Sequence, residues 1–94
     1  MNVQHRAGDT KGEFFIEKED MVVAKMTYSK LGSTQIIIDH TEVSDDHRGE
    51  DLGKTLVETA VQFARDQELK IIPLCPFAKA TIEKNVSLQD VVRK

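Results

Sequence analysis

Apolar and polar residues alternate through the middle of the first half of the chain. Between Met21 and Ser29 (MVVAKMTYS), Val22, Ala24, Met26 and Tyr28 fall on one side, with Lys25, Thr27 and Ser29 on the other. A period of two is the mark of a strand with one buried face. Glu13 to Glu19 (EFFIEKE) also has strand composition, and the polar Glu19-Asp20 step between the two runs predicts a hairpin of unassigned turn type. Lys30 to Ser33 holds a glycine and a serine and reads as the next turn. Thr34 to Val43 (TQIIIDHTEV) has a β-branched centre. Its three consecutive isoleucines suggest a strand covered on both faces, and the alternation puts Ile36, Ile38, His40 and Glu42 on one side.

At Glu50 the period changes. Leu52, Leu56, Val57, Ala60, Phe63 and Ala64 recur at helical spacing, with Lys54, Glu58, Gln62 and Arg65 opposite, which predicts a helix over about Glu50 to Asp66. Leu69 to Leu74 (LKIIPL) is a short apolar run of strand type. Pro76 to Lys84 reads as a second helix, with Pro76 at the first position, where a missing N–H costs nothing. No element is assigned to the tail from Val86 to Lys94. The order β-β-β-α-β-α predicts a mixed α/β, α+β fold in one domain spanning residues 1–94. Antiparallel strands join a right-handed βαβ unit between Ile36 and Leu74, whose two strands run parallel.

Composition narrows the possible partners. A chain of 94 residues with 39% hydrophobic and 31% charged residues suits one compact core. Its formal charge of -3 offers no general attraction to nucleic acid or to an anionic membrane. No apolar run approaches the length of a membrane span, and Met1 to Gly12 is polar, without the apolar stretch of a signal peptide. The expectation is a cytoplasmic protein. One cysteine, Cys75, rules out an internal disulfide framework and agrees with a reducing compartment.

The segment HRGEDLGKT, His47 to Thr55, stands between a predicted strand and the long helix. Its two glycines let backbone turn sharply and approach a ligand closely. The first N–H groups of a helix lack intrahelical partners and share the positive end of its dipole, a ready anion site. Arg48 adds a planar cation suited to phosphate. The same residues also fit a plain tight loop before a helix whose first turn carries Glu50 and Asp51 toward the dipole. Gly53-Lys54-Thr55 ends like a P-loop, but Arg48 occupies the position of that motif's first glycine, so this reading is rejected.

Arg48-Gly49-Glu50-Asp51-Leu52-Gly53 resembles the acyl-CoA signature of the GNAT superfamily of N-acetyltransferases, Gln/Arg-x-x-Gly-x-Gly/Ala. IDHTEVSDDHRGEDLGKTLVE together with IIPLCPFAK is similar to the small stand-alone GNAT-like, acetyl-CoA-binding proteins. The resemblance covers nearly the whole chain, and Asp39 to Lys79 is its specific part. It implies a GNAT-like fold with splayed parallel strands and a coenzyme A or acetyl-CoA cofactor. The pyrophosphate would be held by backbone N–H groups of Arg48, Gly49, Glu50, Asp51, Leu52, Gly53 and Lys54. Backbone groups of Thr41, Glu42 and Val43 would bond the pantetheine arm, with Pro76 and Phe77 completing the cofactor-binding set. Pro73 fits a place where sheet pairing is lost. Asp51 departs from the pattern, which has glycine there, and brings a like charge toward the anion.

His40 and Cys75 form the second candidate group. Cys75 precedes Pro76 and falls near a helix N-cap, where the dipole favours a thiolate. His40 lies on the parallel strand as a base or hydrogen-bond partner. By residue type alone, a lone cysteine and a strand histidine are more often structural. The resemblance implies a histidine and a cysteine near the acyl group. Asp39, His40, Glu42 and His47 match no standard metal spacing, so no metal is expected. The implied activity is an acyltransferase reaction moving acetyl from acetyl-CoA to an unidentified amine, directly or through Cys75. The rival is an acyl-CoA-binding module with little catalysis. The acceptor is a small molecule or a protein, and nothing in the sequence assigns an oligomeric state.

Overall fold

The computed structural model describes residues 2–92. One five-stranded sheet in the order β1-β2-β3-β4-β5 carries two α-helices. β1 is Gln4–Ala7, β2 Lys11–Lys18, β3 Met21–Leu31 and β4 Gln35–Val43; α1 is Leu52–Gln67, β5 Lys70–Pro73 and α2 Pro76–Lys84. β1 through β4 pair antiparallel, and β4 pairs parallel with β5 across the α1 crossover. The α+β class and the parallel closing pair agree with the sequence expectation.

β1 is an addition to the predicted order. All four of its residues are exposed, so it has no alternation to read. Its ladder on β2 places His5 opposite Phe14. The imidazole stacks on the Phe14 ring with centroids 4.3 Å apart and bonds the Tyr28 hydroxyl at 2.6 Å, with Phe63 edge-on at 4.8 Å. Gly12 sits opposite Tyr28. A Cβ built on it would lie 2.4 Å from the Tyr28 ring, so the missing side chain is the space the ring occupies.

Two bulges correct the predicted faces. On β3, Ile16 pairs with Ala24 but Glu17 with Val22, leaving Val23 as the extra residue. The phase shifts there: Val23 is buried and Val22 is 51% exposed, against its predicted burial. The hairpin ahead of it closes on Glu19 and Asp20 at φ 52° and 65°. This is the two-residue I′ geometry that matches strand twist. On β4, Thr27 pairs with His40 and Tyr28 with Ile38, so Asp39 is the extra residue. Ile36 and Ile38 stay in the core. Beyond Asp39 the inward positions are Thr41 and Val43, opposite Met26 and Ala24. His40 and Glu42, predicted to share the face of Ile36 and Ile38, point the other way beside Thr27 and Lys25.

α1 buries Leu52, Leu56, Val57, Ala60 and Ala64 as predicted, and also Val61. It needs apolar residues on more than one side because it packs on β2, β3 and β4, on α2, and on a 3₁₀ turn over Val86–Val91. That turn falls in the unassigned tail, whose last residues, 93 and 94, lie outside the described range. It buries Leu88 and Val91. The Arg65 guanidinium forks onto Asp90 at 2.8 and 2.7 Å and also donates to the Ser87 carbonyl.

The stacked glycine predicts that Gly12→Ala destabilises the fold by about 1–3 kcal/mol, measurable by urea denaturation. The aromatic cluster predicts an acid sensitivity. Burial, and secondarily the charge of Lys30, hold the His5 imidazole below its ordinary pKa. A histidine depressed in the folded state leaves stability whole above its unfolded pKa of about 6.5, and stability falls as pH drops from there toward the folded pKa. Glu50 and Asp90, held below the usual carboxylate range by hydrogen bonds from Lys18 and Arg65, contribute losses only at lower pH. The melting temperature is therefore expected to fall between about pH 7 and pH 5, with a shallower slope in His5→Gln.

Candidate functional site

The site begins where β4 and β5 part. Their register runs from Gln35 opposite Lys70 to Ile38 opposite Pro73. The Ile38 carbonyl then accepts both the Leu74 N–H at 3.2 Å and the Cys75 N–H at 3.1 Å. Cys75 is already the N-cap of α2, and Pro76 follows at its first position. β4 continues alone to Val43, so its β5-facing edge runs free past the junction. Pro73 is not the cause of the parting. Lys70 and Leu74 donate to Thr34 and Ile38, so the period of two turns the nitrogen of Pro73 to the other edge of β5, where a missing donor blunts an open edge.

The loop after β4 forms the second wall. A 3₁₀ turn at Asp45–His47 leads to Arg48, whose Nε bonds the Asp45 carboxylate at 2.8 Å. Gly49 follows at φ 90° and Asp51 at φ 57°, ψ 27°. Two left-handed residues so close together end any helical run, so α1 starts at Leu52 and not at Glu50. Glu50 therefore lies outside the first turn; its carboxylate accepts from Lys18 at 2.6 Å and bonds the His47 ring at 2.9 Å. Asp51 makes no side-chain cap bond. The first cap bond is Thr55 N–H to the Asp51 carbonyl at 3.0 Å, which leaves the N–H groups of the opening turn without intrahelical partners.

A cavity of about 650 Å³ opens between these walls. Thr41 and Val43 of β4 line one side, Arg48, Gly49, Asp51, Leu52, Gly53 and Lys54 the second, and Phe77, Thr81 and Lys84 of α2 with its C-cap Asn85 the third. Phe77 packs onto Gly53 so closely that a Cβ there would fall 2.6 Å from its ring. His47 and the α2 residues beyond Phe77 were not among the predicted site residues. Thr81 and Lys84 stand four and seven residues after Phe77, the spacing of one helix face, and that period was legible; Asn85 follows as the C-cap. Glu50, Glu42 and Pro76 do not line this cavity. Lys54 and Lys84 are exposed and add two cations to a lining that also holds the Asp51 carboxylate.

The predicted His40–Cys75 pair is not assembled. The Cys75 thiol is 4% exposed and donates to Thr41 Oγ1 at 3.4 Å. His40 bonds Glu42 instead, Nε2 to Oε1 at 2.9 Å, with both side chains more than 60% exposed (63% and 64%). The bulge at Asp39 is the physical reason: it turns Thr41, not His40, toward the helices. His40 and Glu42 line a second cavity of about 700 Å³, with Val22, Lys25 and Asp45. Among the described residues no three His, Cys, Asp or Glu side chains cluster as metal ligands would, and no helix is long and apolar enough to cross a membrane.

Residues 13–91 match the family model of the GCN5-related N-acetyl-transferases, and the chain belongs to that family. A GCN5-like protein of Staphylococcus aureus, solved by NMR, is 41% identical over 98% of this chain and 89% of its own, with a TM-score of 0.74. Protein NATD1 of Danio rerio is 27% identical over 66% of this chain and 56% of its own length. A 37-residue stretch is 51% identical to a Mus musculus protein of N-acetyltransferase family 8, of which it covers 16%. The chain thus spans about half of NATD1 and a small part of the family 8 protein.

Because the Phe77 ring fills the space over Gly53, Gly53→Ala is expected to cost about 1–3 kcal/mol through overpacking. Thermal denaturation, with the Phe77 ring resonances followed by NMR, checks both the loss and its cause.

Proposed function

We propose that the 650 Å³ cavity binds acetyl-CoA and that the protein transfers its acetyl group to an amine. The observation that carries this reading is the convergence on one cavity of a free strand edge and an open helix N-terminus. A pyrophosphate fits the second wall: backbone N–H groups from Arg48 to Lys54 offer donors at the positive end of α1, and Lys54 and Lys84 supply charge at the rim. Gly49, with nothing within 4 Å of a Cβ position, leaves backbone open to close approach. A pantetheine arm fits the first wall, where the peptide groups of Thr41 to Val43 lack β5 partners and an extended amide chain can continue the ladder. Lying against Phe77, the arm would direct the acyl end toward the junction at Ile38.

The 4% exposure of Cys75 and its bond to Thr41 favour direct transfer over a route through the thiol, because a nucleophilic thiol must be ionised and reachable. Cys75 then holds Thr41 in place. The alternative, a coenzyme-binding module with little catalysis, has one observation in its favour: the carboxylates and imidazoles lining the coenzyme cavity are only Asp51 and His47, both in the phosphate-side loop.

Titration with acetyl-CoA, followed by backbone amide NMR, is expected to shift residues 41–43, 48–54 and 75–77; shifts elsewhere with these unmoved would refute the placement. Asp51→Gly removes a like charge near the anion, worth about 1 kcal/mol or roughly fivefold in Kd at low salt and less as salt rises. Intact mass after incubation with acetyl-CoA separates the routes: direct transfer leaves the protein unmodified, whereas an acetyl adduct lost in Cys75→Ala assigns the thiol route.

A further inference from the structure

His47 lines the coenzyme cavity and ends a chain of bonds that starts at the β2–β3 hairpin. Lys18, the last residue of β2, donates to Glu50 Oε1 at 2.6 Å, and Glu50 Oε2 bonds His47 Nδ1 at 2.9 Å. Glu50 itself stands outside the cavity. The backbone is held on the same side: the Ser44 N–H bonds the Val23 carbonyl at 2.7 Å, and the His47 N–H bonds the Ser44 carbonyl at 2.9 Å. A loop with left-handed residues at Gly49 and Asp51 is thereby tied to β2 and β3. The His47 side chain is 26% exposed against 36% for Lys18 and 40% for Glu50, so the ring is the most enclosed of the three. Hydrogen bonds from Lys18 and His47 hold the Glu50 carboxyl below its ordinary range. It is therefore ionised at neutral pH and can only accept, so Nδ1 carries the ring's proton. In the neutral ring Nε2 then offers a lone pair, which repels an anion. On protonation it becomes an N–H donor.

Resting on the acetyl-CoA reading above, we propose that His47 is a phosphate ligand of the coenzyme, positioned by Glu50 and Lys18, and that the coenzyme binds together with a proton. The imidazolium lies between two anions, the Glu50 carboxylate at Nδ1 and a pyrophosphate oxygen at Nε2, and gives each a charge-assisted bond. Its own turn also supplies Asp45, Asp46 and Arg48, the loop Asp51, β2 Lys18, and the cavity walls Lys54 and Lys84. With Glu50 these make four acids and four bases, so the fixed charges nearly cancel and the incoming phosphate decides the state of the ring. The proton it brings offsets the Asp51 carboxylate and makes affinity depend on pH.

The test is calorimetry with acetyl-CoA and with 3′-dephospho-CoA. The second probe lacks the phosphate monoester, which itself titrates near about pH 6, and keeps a pyrophosphate that stays ionised. Wild type is expected to bind 3′-dephospho-CoA about fivefold more tightly at pH 6 than at pH 8. In buffers of different ionisation enthalpy it should take up a fraction of a proton, a reading that needs no variant. His47→Gln keeps a donor without the titrating charge; it should flatten the profile, with Kd within about twofold of wild type at pH 8. Glu50→Ala separates positioning from bulk charge. Removing a negative group beside an anion would by itself tighten binding, whereas loss of the ring's anchor weakens it at pH 6 and flattens the profile. Lys18→Met should follow Glu50→Ala, and Lys18→Arg, which keeps the ion pair, should follow wild type. A wild-type pH profile in His47→Gln, or tighter binding in Glu50→Ala, overturns the proposal and leaves the coenzyme reading standing. So does a wild type that binds both probes without proton uptake. Failure of wild type to bind acetyl-CoA at any pH overturns both.

Discussion

The Ile38 carbonyl takes the N–H groups of Leu74 and Cys75, at 3.2 and 3.1 Å, and the rest of the site depends on this shared acceptor. A parallel ladder would normally advance two residues on both strands for each bond. Here β5 donates twice to one oxygen and turns into α2, while β4 runs on through five residues, 39–43. Polar backbone groups are seldom left without partners once shielded from water. The free edge therefore favours an extended polar chain laid along it. The same junction sets Cys75 at a helix N-cap and Phe77 one residue into α2, against Gly53 of α1. One bifurcated bond thus sets the width of the cavity and the position of two of its three walls.

The second constraint is the extra residue at Asp39. Without it, the alternation of β4 would carry His40 and Glu42 beneath the helices, beside Ile38. Two titratable groups would then be taken out of water, a desolvation cost of several kcal/mol that their own pairing offsets only in part. With it, the apolar or hydroxyl-bearing Thr41 and Val43 face inward and the polar pair faces out. Asp39 is anchored by the Ser29 hydroxyl at 2.8 Å, so the bulge is stitched to β3 by a side chain as well as by backbone. The two faces of a single strand end acquire different chemistry: peptide edge and hydroxyl on one side, imidazole and carboxylate on the other.

What was legible in the sequence follows from these constraints. The 3.6-residue period of α1, Pro76 at the start of α2 and the β-branched core of β4 are strong local signals, and the structure keeps all three. The glycine-bearing loop was placed between the right elements. A bulge, by contrast, leaves no mark on composition. Val22 and His40 were each assigned by a strict period of two that one inserted residue reverses. β1 was invisible because its four residues are exposed and are held by a ladder and by one histidine stacked on an aromatic ring. Val61 is buried because α1 is covered on more than one side, by the sheet, α2 and the 3₁₀ turn near the chain's end, and a single-stripe reading of the helix misses it. The pairing of Cys75 with Thr41 depends on the phase of β4 and so could not be reached before the bulge was known.

Asp51 shows how a departure from a family pattern becomes intelligible. The structure places it at φ 57°, ψ 27°, a conformation that costs most L-residues roughly 1–2 kcal/mol but that aspartate and asparagine tolerate best after glycine. The expected glycine is thus a requirement of backbone conformation, which aspartate partly meets. Its neighbours answer to different demands. Gly49, at φ 90° with open space around it, is needed for its dihedral angle. Gly53 is helical and is needed for the room that Phe77 fills. Three small or permissive residues at the loop and the first turn of α1 thus answer two constraints, a left-handed dihedral at Gly49 and Asp51 and room for a ring at Gly53, and of the three positions Asp51 carries a side chain. In the proposed acetyl-CoA complex that side chain bears the wrong charge for the pyrophosphate, and Arg48, Lys54, Lys84 and the N–H groups of α1 would have to offset it.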